Sequence, residues 1–241
     1  MQQTDSGDRY QRKVVSFTAR GSRLDARRQR IWDEHADRFV LDVPRGEATT
    51  SVHPDWRLDV PAVFGREAPL VVEIGSGKGE AIIHAAETHP DVDHLAVEVY
   101  RPGVAQTVLL ATRREVTNVR MIRADAEGVL AHALAAASVD ELWTFFPDPW
   151  HKKKHQKRRL VGPRLAASAA RALRPGGRWR LASDWAHYSA QMRQVLDAAP
   201  GFSRDFDGDW APRFDGRPET GFEAKAARAG REVRDLVYVR T

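Results

Sequence analysis

The sequence has no cysteine among its 241 residues. Disulfides, cysteine-ligated zinc, iron–sulfur clusters and thiol nucleophiles are therefore excluded. No apolar run approaches the roughly 20 residues that a transmembrane helix needs, and the N-terminus has no apolar stretch typical of a secretory signal. We therefore expect a cytoplasmic protein with no membrane contact. The histidines are scattered, so we predict no metal site.

The net charge is also small, because 38 Lys and Arg residues are balanced by 33 Asp and Glu residues. The distribution of the basic residues is more informative than their number. Residues 1–30 are basic and lack hydrophobic periodicity, which predicts a flexible arm followed by one folded domain over residues 31–241. The second basic stretch, His151–Arg159, contains no acid and has the composition of a phosphate-binding segment.

From Leu70 onward, short apolar runs alternate with segments of helical periodicity. The predicted strands are Leu70–Ile74, Leu95–Glu98, Val119–Arg123, Leu142–Phe146, Arg178–Ser183 and Val233–Val239. The predicted helices are Ile31–Val40, Glu80–His89, Gly103–Arg114, Val129–Ala136, Arg164–Leu173 and Ala186–Ala198. This alternation predicts an α/β fold with a mainly parallel sheet and helices on both faces. Ligands of such sheets bind beyond the carboxyl ends of the strands.

A glycine-rich turn follows the first predicted strand, with Gly75, Gly77 and Gly79 directly after Glu73 and Ile74. Glycines at this spacing allow a sharp turn and a close approach to a ligand. The dinucleotide fingerprint requires a further glycine where this sequence has an acid, so a nicotinamide dehydrogenase is disfavoured. The acid before the glycines suits a cationic or amino-bearing ligand, although a tight turn without a ligand remains an alternative.

Acids also follow the second and third predicted strands. Glu98 is placed to accept hydrogen bonds from ribose hydroxyls, or it is an exposed strand-end residue. Asp125 is placed to accept from an adenine amino group, or it caps the helix that follows. Because three successive strands end in acids, we interpret the set as a nucleoside-binding pocket.

After the fourth predicted strand, prolines flank Asp148 and a tryptophan and the basic run follow at once. The prolines restrict the backbone, so one carboxylate is held at the edge of the sheet. A solvated charge run would explain the lysines but not this block. Trp150 either stacks on a base or packs in the core. Asp184, after the fifth strand, and Glu223 are further candidates that could equally be structural.

This combination resembles the bacterial tRNA (guanine-N7-)-methyltransferases, the TrmB family. The resemblance is carried by the glycine turn, by the block Phe146–Lys152 with Lys157–Arg159, and by Arg217–Glu223 with Asp235. It implies a class I methyltransferase fold, Rossmann-like with seven strands, that uses S-adenosyl-L-methionine. It implies methyl transfer to N7 of guanosine 46 in the tRNA variable loop.

The resemblance also implies roles for individual residues. Asp148 is the expected catalytic residue. The expected donor-binding residues are Glu73, Gly75, Gly77, Gly79, Glu98, Asp125 and Asp148. The expected substrate-binding residues are Lys152, Asp184, Thr220, Gly221, Phe222 and Glu223. The expected RNA-contacting residues are Lys154, His155, Gln156, Lys157, Arg158 and Arg159.

Three positions depart from the family pattern. Ser76 replaces a bulky apolar residue in the glycine turn, Ser183 replaces a threonine, and Gly221 replaces a lysine, which removes one possible contact.

We expect tRNA as partner, no obligatory protein partner, and a monomer or homodimer. Two alternatives remain. A class I methyltransferase with another substrate leaves the basic block unexplained, and a non-catalytic RNA-binding protein leaves the three strand-end acids unexplained.

Overall fold

The computed structural model describes residues 23–241. The first 22 residues of the predicted arm lie outside this range. The first helix, α1, spans Ala26–Phe39 and begins at Asp25, whose side chain accepts a hydrogen bond from the Arg28 amide at 2.8 Å. The structure thus corrects the predicted boundary at residue 30, because residues 26–30 are helical and carry three of the basic side chains assigned to the arm.

A seven-stranded sheet forms the centre of the molecule, in the order β3-β2-β1-β4-β5-β7-β6. Its strands are β1 (Leu70–Ile74), β2 (Asp93–Val97), β3 (Val119–Ile122), β4 (Val139–Phe145), β5 (Leu173–Ser183), β6 (Phe202–Arg204) and β7 (Arg234–Arg240). The first five strands are parallel, and β7 inserts antiparallel between β5 and β6. The predicted mainly parallel sheet is confirmed.

Helices cover both faces of this sheet. They are α1, α2 (Val60–Phe64), α3 (Glu80–Thr88), α4 (Arg101–Arg113), α5 (Ala126–Gly128), α6 (Pro163–Ala172), α7 (Ala186–Asp197) and α8 (Gly221–Arg228). One apolar core, around Ile82, Val108 and Trp143, lies under α1, α3 and α4. The other, around Leu165, Trp179 and Tyr188, lies under α6 and α7. Burial of β1 on both faces explains why four of its five residues are apolar.

Several elements differ from the sequence expectations. The helix predicted over Val129–Ala136 is a short α5 followed by a π-helical turn over Val129–Ala133. The Pro-Gly-Gly segment at 175–177 lies within β5, where the pairing with β4 shifts register. A 3-10 helix over Lys153–Arg158, the strand β6 and the helix α8 were not expected as regular elements. Within residues 23–241, no helix is long and apolar enough to cross a membrane.

Candidate active site

The register of the parallel strands brings the predicted acids to one edge of the sheet. Ile74 of β1 pairs with Val97 of β2, and Val97 pairs with Ile122 of β3. On the other side, β1 pairs with β4. The chain leaves β1 toward β2 and leaves β4 toward β5, so the crossovers diverge between β1 and β4 and open a crevice there.

The glycine turn adopts backbone angles that other residues rarely adopt. Gly75, Gly77 and Gly79 have φ values of 73°, 59° and 78°. Gly103 at the start of α4 permits a close approach to this turn, because a Cβ there would lie 2.3 Å from the carbonyl oxygen of Gly77. Any larger residue at position 103 would displace the turn from α4. The turn is therefore shaped by a fourth glycine, which lies 24 positions after Gly79 in the sequence.

The carboxyl group of Glu73 is buried, with 3% of the residue exposed, and its Oε2 has no hydrogen-bond partner. Burial raises the pKa of Glu73 to about 8, because the charged form loses its hydration. A buried carboxylate oxygen without a donor is unfavourable unless a ligand supplies one. Glu73 is thus suited to receive a cationic group.

Backbone amides hold Glu98 in place. Its Oε1 accepts hydrogen bonds from Val99 at 2.7 Å and Tyr100 at 2.8 Å, and its Oε2 accepts one from Gly77 at 2.9 Å. A carboxylate has about four acceptor sites, so one site on Oε2 remains for a ligand. Burial raises the pKa of Glu98, although the three amide donors act in the opposite direction.

Asp125 caps a helix and also lines the crevice. Its side chain accepts a hydrogen bond from the Glu127 amide at 3.3 Å and so caps α5. It also lines the same cavity as Glu98. A capping bond to one oxygen leaves acceptor capacity for a donor on the ligand.

Asp148 is exposed at the mouth of this cavity, on the loop after β4. Two residues near it, Phe146 with φ 51° and Trp150 with φ 42°, adopt left-handed backbone conformations. Such conformations cost roughly 1–3 kcal/mol each and are concentrated at functional sites. The strained loop, together with Pro147 and Pro149, restricts the backbone from which the carboxylate projects.

Two adjoining cavities form the crevice. We call the first the β2-side cavity; it has a volume of about 170 Å³. Its lining includes Glu98, Ala124, Asp125, Asp148 and Leu160. We call the second the α8-side cavity; it has a volume of about 210 Å³. Its lining includes Glu73, Ser76, Lys78, Glu80, Thr220, Gly221 and Lys225. Gly75, Gly77, Phe145, Phe146 and Phe222 line both, so one elongated ligand can extend from one cavity into the other.

These residues fit the donor implied by the resemblance. The partnerless Oε2 of Glu73 matches the ammonium group of its amino-acid end. The remaining acceptor site of Glu98 matches a ribose hydroxyl, and Asp125 matches an adenine amino group. The acceptors of the crevice therefore suit the polar groups of the methyl donor.

Helix α8 covers the α8-side cavity and is held there by buried ion pairs. Thr220 and Glu223 cap each other, with the Glu223 amide 3.2 Å from Thr220 Oγ1. Burial alone would raise the pKa of Glu223, but hydrogen bonds from Arg213 and Arg217 lower it below its usual value. Arg217 is buried and also forms a bidentate pair with Asp235, at 2.6 and 3.0 Å. Glu223 is thus occupied by structural partners.

The remaining residues of the predicted Thr220–Glu223 segment face the crevice. The amide of Gly221 donates to Glu80 Oε2 at 2.9 Å, which ties α8 to the glycine turn. Phe222 is 55% exposed and stacks on Phe146, with an interplanar angle of 8° and ring centroids 5.9 Å apart.

The basic stretch lies beside Asp148 on the 3-10 helix. Lys154 and Lys157 are exposed, whereas His155 and Gln156 are half-buried. Arg158 lies over the Trp150 ring at 3.9 Å, so this tryptophan face is covered by a cation. Lys152 is exposed at the start of the helix.

The structure corrects the prediction for Arg159, which is buried. Its guanidinium group donates to the carbonyl oxygen of Pro149 at 2.8 Å and to Gln191, and it lies 2.9 Å from Nδ1 of His187. These contacts connect the Asp148 loop to α7. Arg159 therefore positions this loop instead of facing a phosphate.

Asp184 lies outside both cavities. Its Oδ2 accepts from Arg231 Nε at 2.8 Å, and it lines a separate surface groove with Trp185, His187 and Arg234. Over residues 23–241, no three His, Asp or Glu side chains are grouped as a metal site would require.

Comparison with known proteins identifies the family. A family model described as "Putative methyltransferase" matches residues 67–236. The chain is 46% identical to the tRNA (guanine-N(7)-)-methyltransferase of Paenarthrobacter aurescens strain TC1, over 95% of this chain and 92% of the relative. It is also 46% identical to the protein of the same name from Cutibacterium acnes, over 98% of this chain and 86% of the relative. The chain belongs to the tRNA (guanine-N(7)-)-methyltransferase family.

The fold of this methyltransferase agrees with that of solved structures. It is similar to the 16S rRNA methyltransferase KamB, with a TM-score of 0.56 and 15% identity over 82% of this chain and 98% of the other. At that identity the likeness establishes the fold alone. The predicted family and the class I methyltransferase fold are both confirmed.

Sequence reasoning missed several residues of the methyltransferase site. Arg217 belongs to the motif that carries the resemblance. Its pairing with Glu223 of α8 and Asp235 of the antiparallel β7 is a contact between elements, which no local pattern reveals. No sequence motif marked Gly103 or Lys225 as site residues. Helical periodicity after the Thr-x-x-Glu capping box at Thr220 could have revealed α8.

Proposed function

We propose that this protein transfers a methyl group from S-adenosyl-L-methionine to N7 of guanosine 46 in the variable loop of tRNA. One observation supports this above the others: Asp148 lies between an acid-lined cavity that fits the donor and an exposed basic helix. When bound, the donor supplies an electrophilic methyl group on a positively charged sulfur.

Guanine N7 carries a free lone pair and no proton, so the reaction needs no general base at that atom. The protein has to align N7 with the methyl carbon and exclude water. Positioning of this kind can contribute about 7–11 kcal/mol to lowering the barrier. The rigid loop around Asp148 is suited to this task, because its two prolines and two left-handed residues limit its movement.

Asp148 has the chemistry to hold the target base. In our proposal its carboxylate accepts hydrogen bonds from N1–H and the N2 amino group of guanine. It also offsets the positive charge that develops on the base as the methyl group is transferred. Phe222, whose ring is stacked on Phe146 on one side and 55% exposed, offers a surface on which a base extruded from the loop can stack.

The basic helix supplies the RNA contacts in this proposal. The exposed Lys152, Lys154 and Lys157 lie beside the Asp148 loop, where they can neutralise phosphates flanking the target nucleotide. Asp184 and its groove lie beyond the next strand, so we assign it a contact to the substrate away from the reacting base. We also propose the cytoplasm as the place of action.

The test is Asp148→Ala, measured in single-turnover methyl transfer and in tRNA binding. Removing one preorganised electrostatic contact typically lowers the rate about 10²–10³-fold. We expect that loss in rate with tRNA affinity within about threefold of the wild type. Asp148→Asn, which keeps the size of the side chain, should lose rate to a similar extent. A variant with near-normal turnover would remove Asp148 from the chemistry.

A further inference from the structure

The α8-side cavity combines a buried acid with basic side chains. Glu73 lies at its base with a partnerless Oε2, and Lys78 and Lys225 line its walls. Among the residues that the structure describes, neither lysine forms an ion pair or a side-chain hydrogen bond. The Glu80 carboxylate, the other acid of the lining, already accepts from the Gly221 amide. The cavity thus presents a partnerless carboxylate oxygen for a cation and two lysines for an anion, which is the pattern that a zwitterionic amino acid requires.

The position of α8 distinguishes the two lysines. The Gly221 amide holds the start of α8 on Glu80, and Arg217 holds Glu223 from the other side. Residues four apart lie on the same face of a helix, so Lys225 is placed above Gly221 and faces the cavity. Gly221 has no side chain to fill the space beside Lys225. The nearest group across that space is the Glu80 carboxylate. Both lysines are exposed, but Lys78 lies in the glycine turn and not on α8.

We propose that Lys225 binds the carboxylate at the amino-acid end of the methyl donor, while Glu73 binds the ammonium group of the same end. This inference rests on the proposed function, because it assumes the donor. Phe222 and Lys225, three residues apart on the crevice side of α8, would then serve the base and the donor respectively.

The experiment compares two ligands by isothermal titration calorimetry: S-adenosyl-L-methionine and its decarboxylated form, which keeps the sulfonium and the amino group. Hydrogen bonds to charged groups are worth enough to predict that the wild type binds the complete donor about 10- to 100-fold more tightly. In Lys225→Met this preference should fall to within threefold, through a loss of affinity for the complete donor only. Lys78→Met, which alters the other lysine of the cavity, should retain the preference.

The outcomes separate the inference from the function on which it rests. Lys225→Arg keeps the charge and should retain the preference, and unchanged affinity of Lys225→Met for the decarboxylated donor shows that this variant is folded. If Lys225→Met still prefers the complete donor as strongly as the wild type does, the inference is overturned. A variant that keeps this preference but binds tRNA more weakly would assign Lys225 to the RNA and would also overturn it. If the wild type binds neither ligand, the proposed function itself fails.

Discussion

The sharpest consequence of the site concerns the proton on Glu73. Burial raises its pKa to about 8, so about nine in ten of these side chains are protonated at pH 7 in the free protein. An ammonium group beside Oε2 favours the ionised form. Donor binding should therefore release about 0.9 proton at pH 7 and about half a proton at pH 8. Below pH 7, affinity should fall about tenfold from pH 7 to pH 6, because binding then requires the loss of a proton that the lower pH favours.

Proton release is measured by titrating the donor in two buffers with different ionisation enthalpies. Glu73→Gln should abolish the release, and the difference from the wild type cancels any titration of the donor itself. Glu67→Gln, which changes an exposed carboxylate just before β1, should release as many protons as the wild type does. Equal release by Glu73→Gln and the wild type would refute the assignment of Glu73.

The same shift affects the stability of the free protein. Below about pH 4.5 the group is protonated in both the folded and the unfolded states and makes no difference. Between that pH and about 8 only the unfolded state ionises, so the wild type loses stability as the pH rises. Glu73→Gln should therefore be more stable than the wild type at pH 8, on the order of a few kcal/mol, and not at pH 4. Urea unfolding at the two pH values measures this.

Three further predictions follow from the contacts. The double variant Lys154→Gln with Lys157→Gln should lower the slope of log affinity for tRNA against log salt by about 1.5, because each phosphate contact contributes about 0.7–0.9. Arg217→Met leaves the carboxylates of Glu223 and Asp235 buried without their partner, which should destabilise the protein by about 3–5 kcal/mol in urea unfolding. Gly103→Ala should weaken donor binding at least tenfold in calorimetry, because the added Cβ would lie 2.3 Å from a carbonyl oxygen of the glycine turn.

Each of these has a control. Arg113→Gln removes an exposed charge at the far end of α4 and should leave the salt slope unchanged. Arg217→Lys keeps a charge and should recover part of the lost stability. Gly128→Ala adds a Cβ at an ordinary distance of 3.6 Å from Val52 and should bind the donor normally. Three results would contradict these assignments. They are an unaltered slope in the double variant, a loss of stability below 1 kcal/mol in Arg217→Met, and normal donor affinity in Gly103→Ala.

The parallel part of the sheet could be predicted because alternating apolar strands and helices leave a local pattern, and the positions of Glu73, Glu98 and Asp148 follow from that pattern. Contacts between distant segments could not be predicted in this way. The burial of Arg159 depends on α7, and the occupation of Glu223 depends on Arg213 and Arg217. A charged residue in a basic run has the same local signature whether it faces solvent or stabilises a loop. The left-handed conformation of Phe146, a non-glycine residue, also has no signature in sequence.

The central claim is methyl transfer to N7 of one guanosine in the variable loop. The most direct measurement incubates the protein with labelled S-adenosyl-L-methionine and an unmodified tRNA transcript, and then maps the modified base. We expect one methyl group per tRNA, at N7 of guanosine 46, and none on a transcript in which adenosine replaces that guanosine. Methylation at another atom or another position, or equal labelling of the two transcripts, would contradict the account.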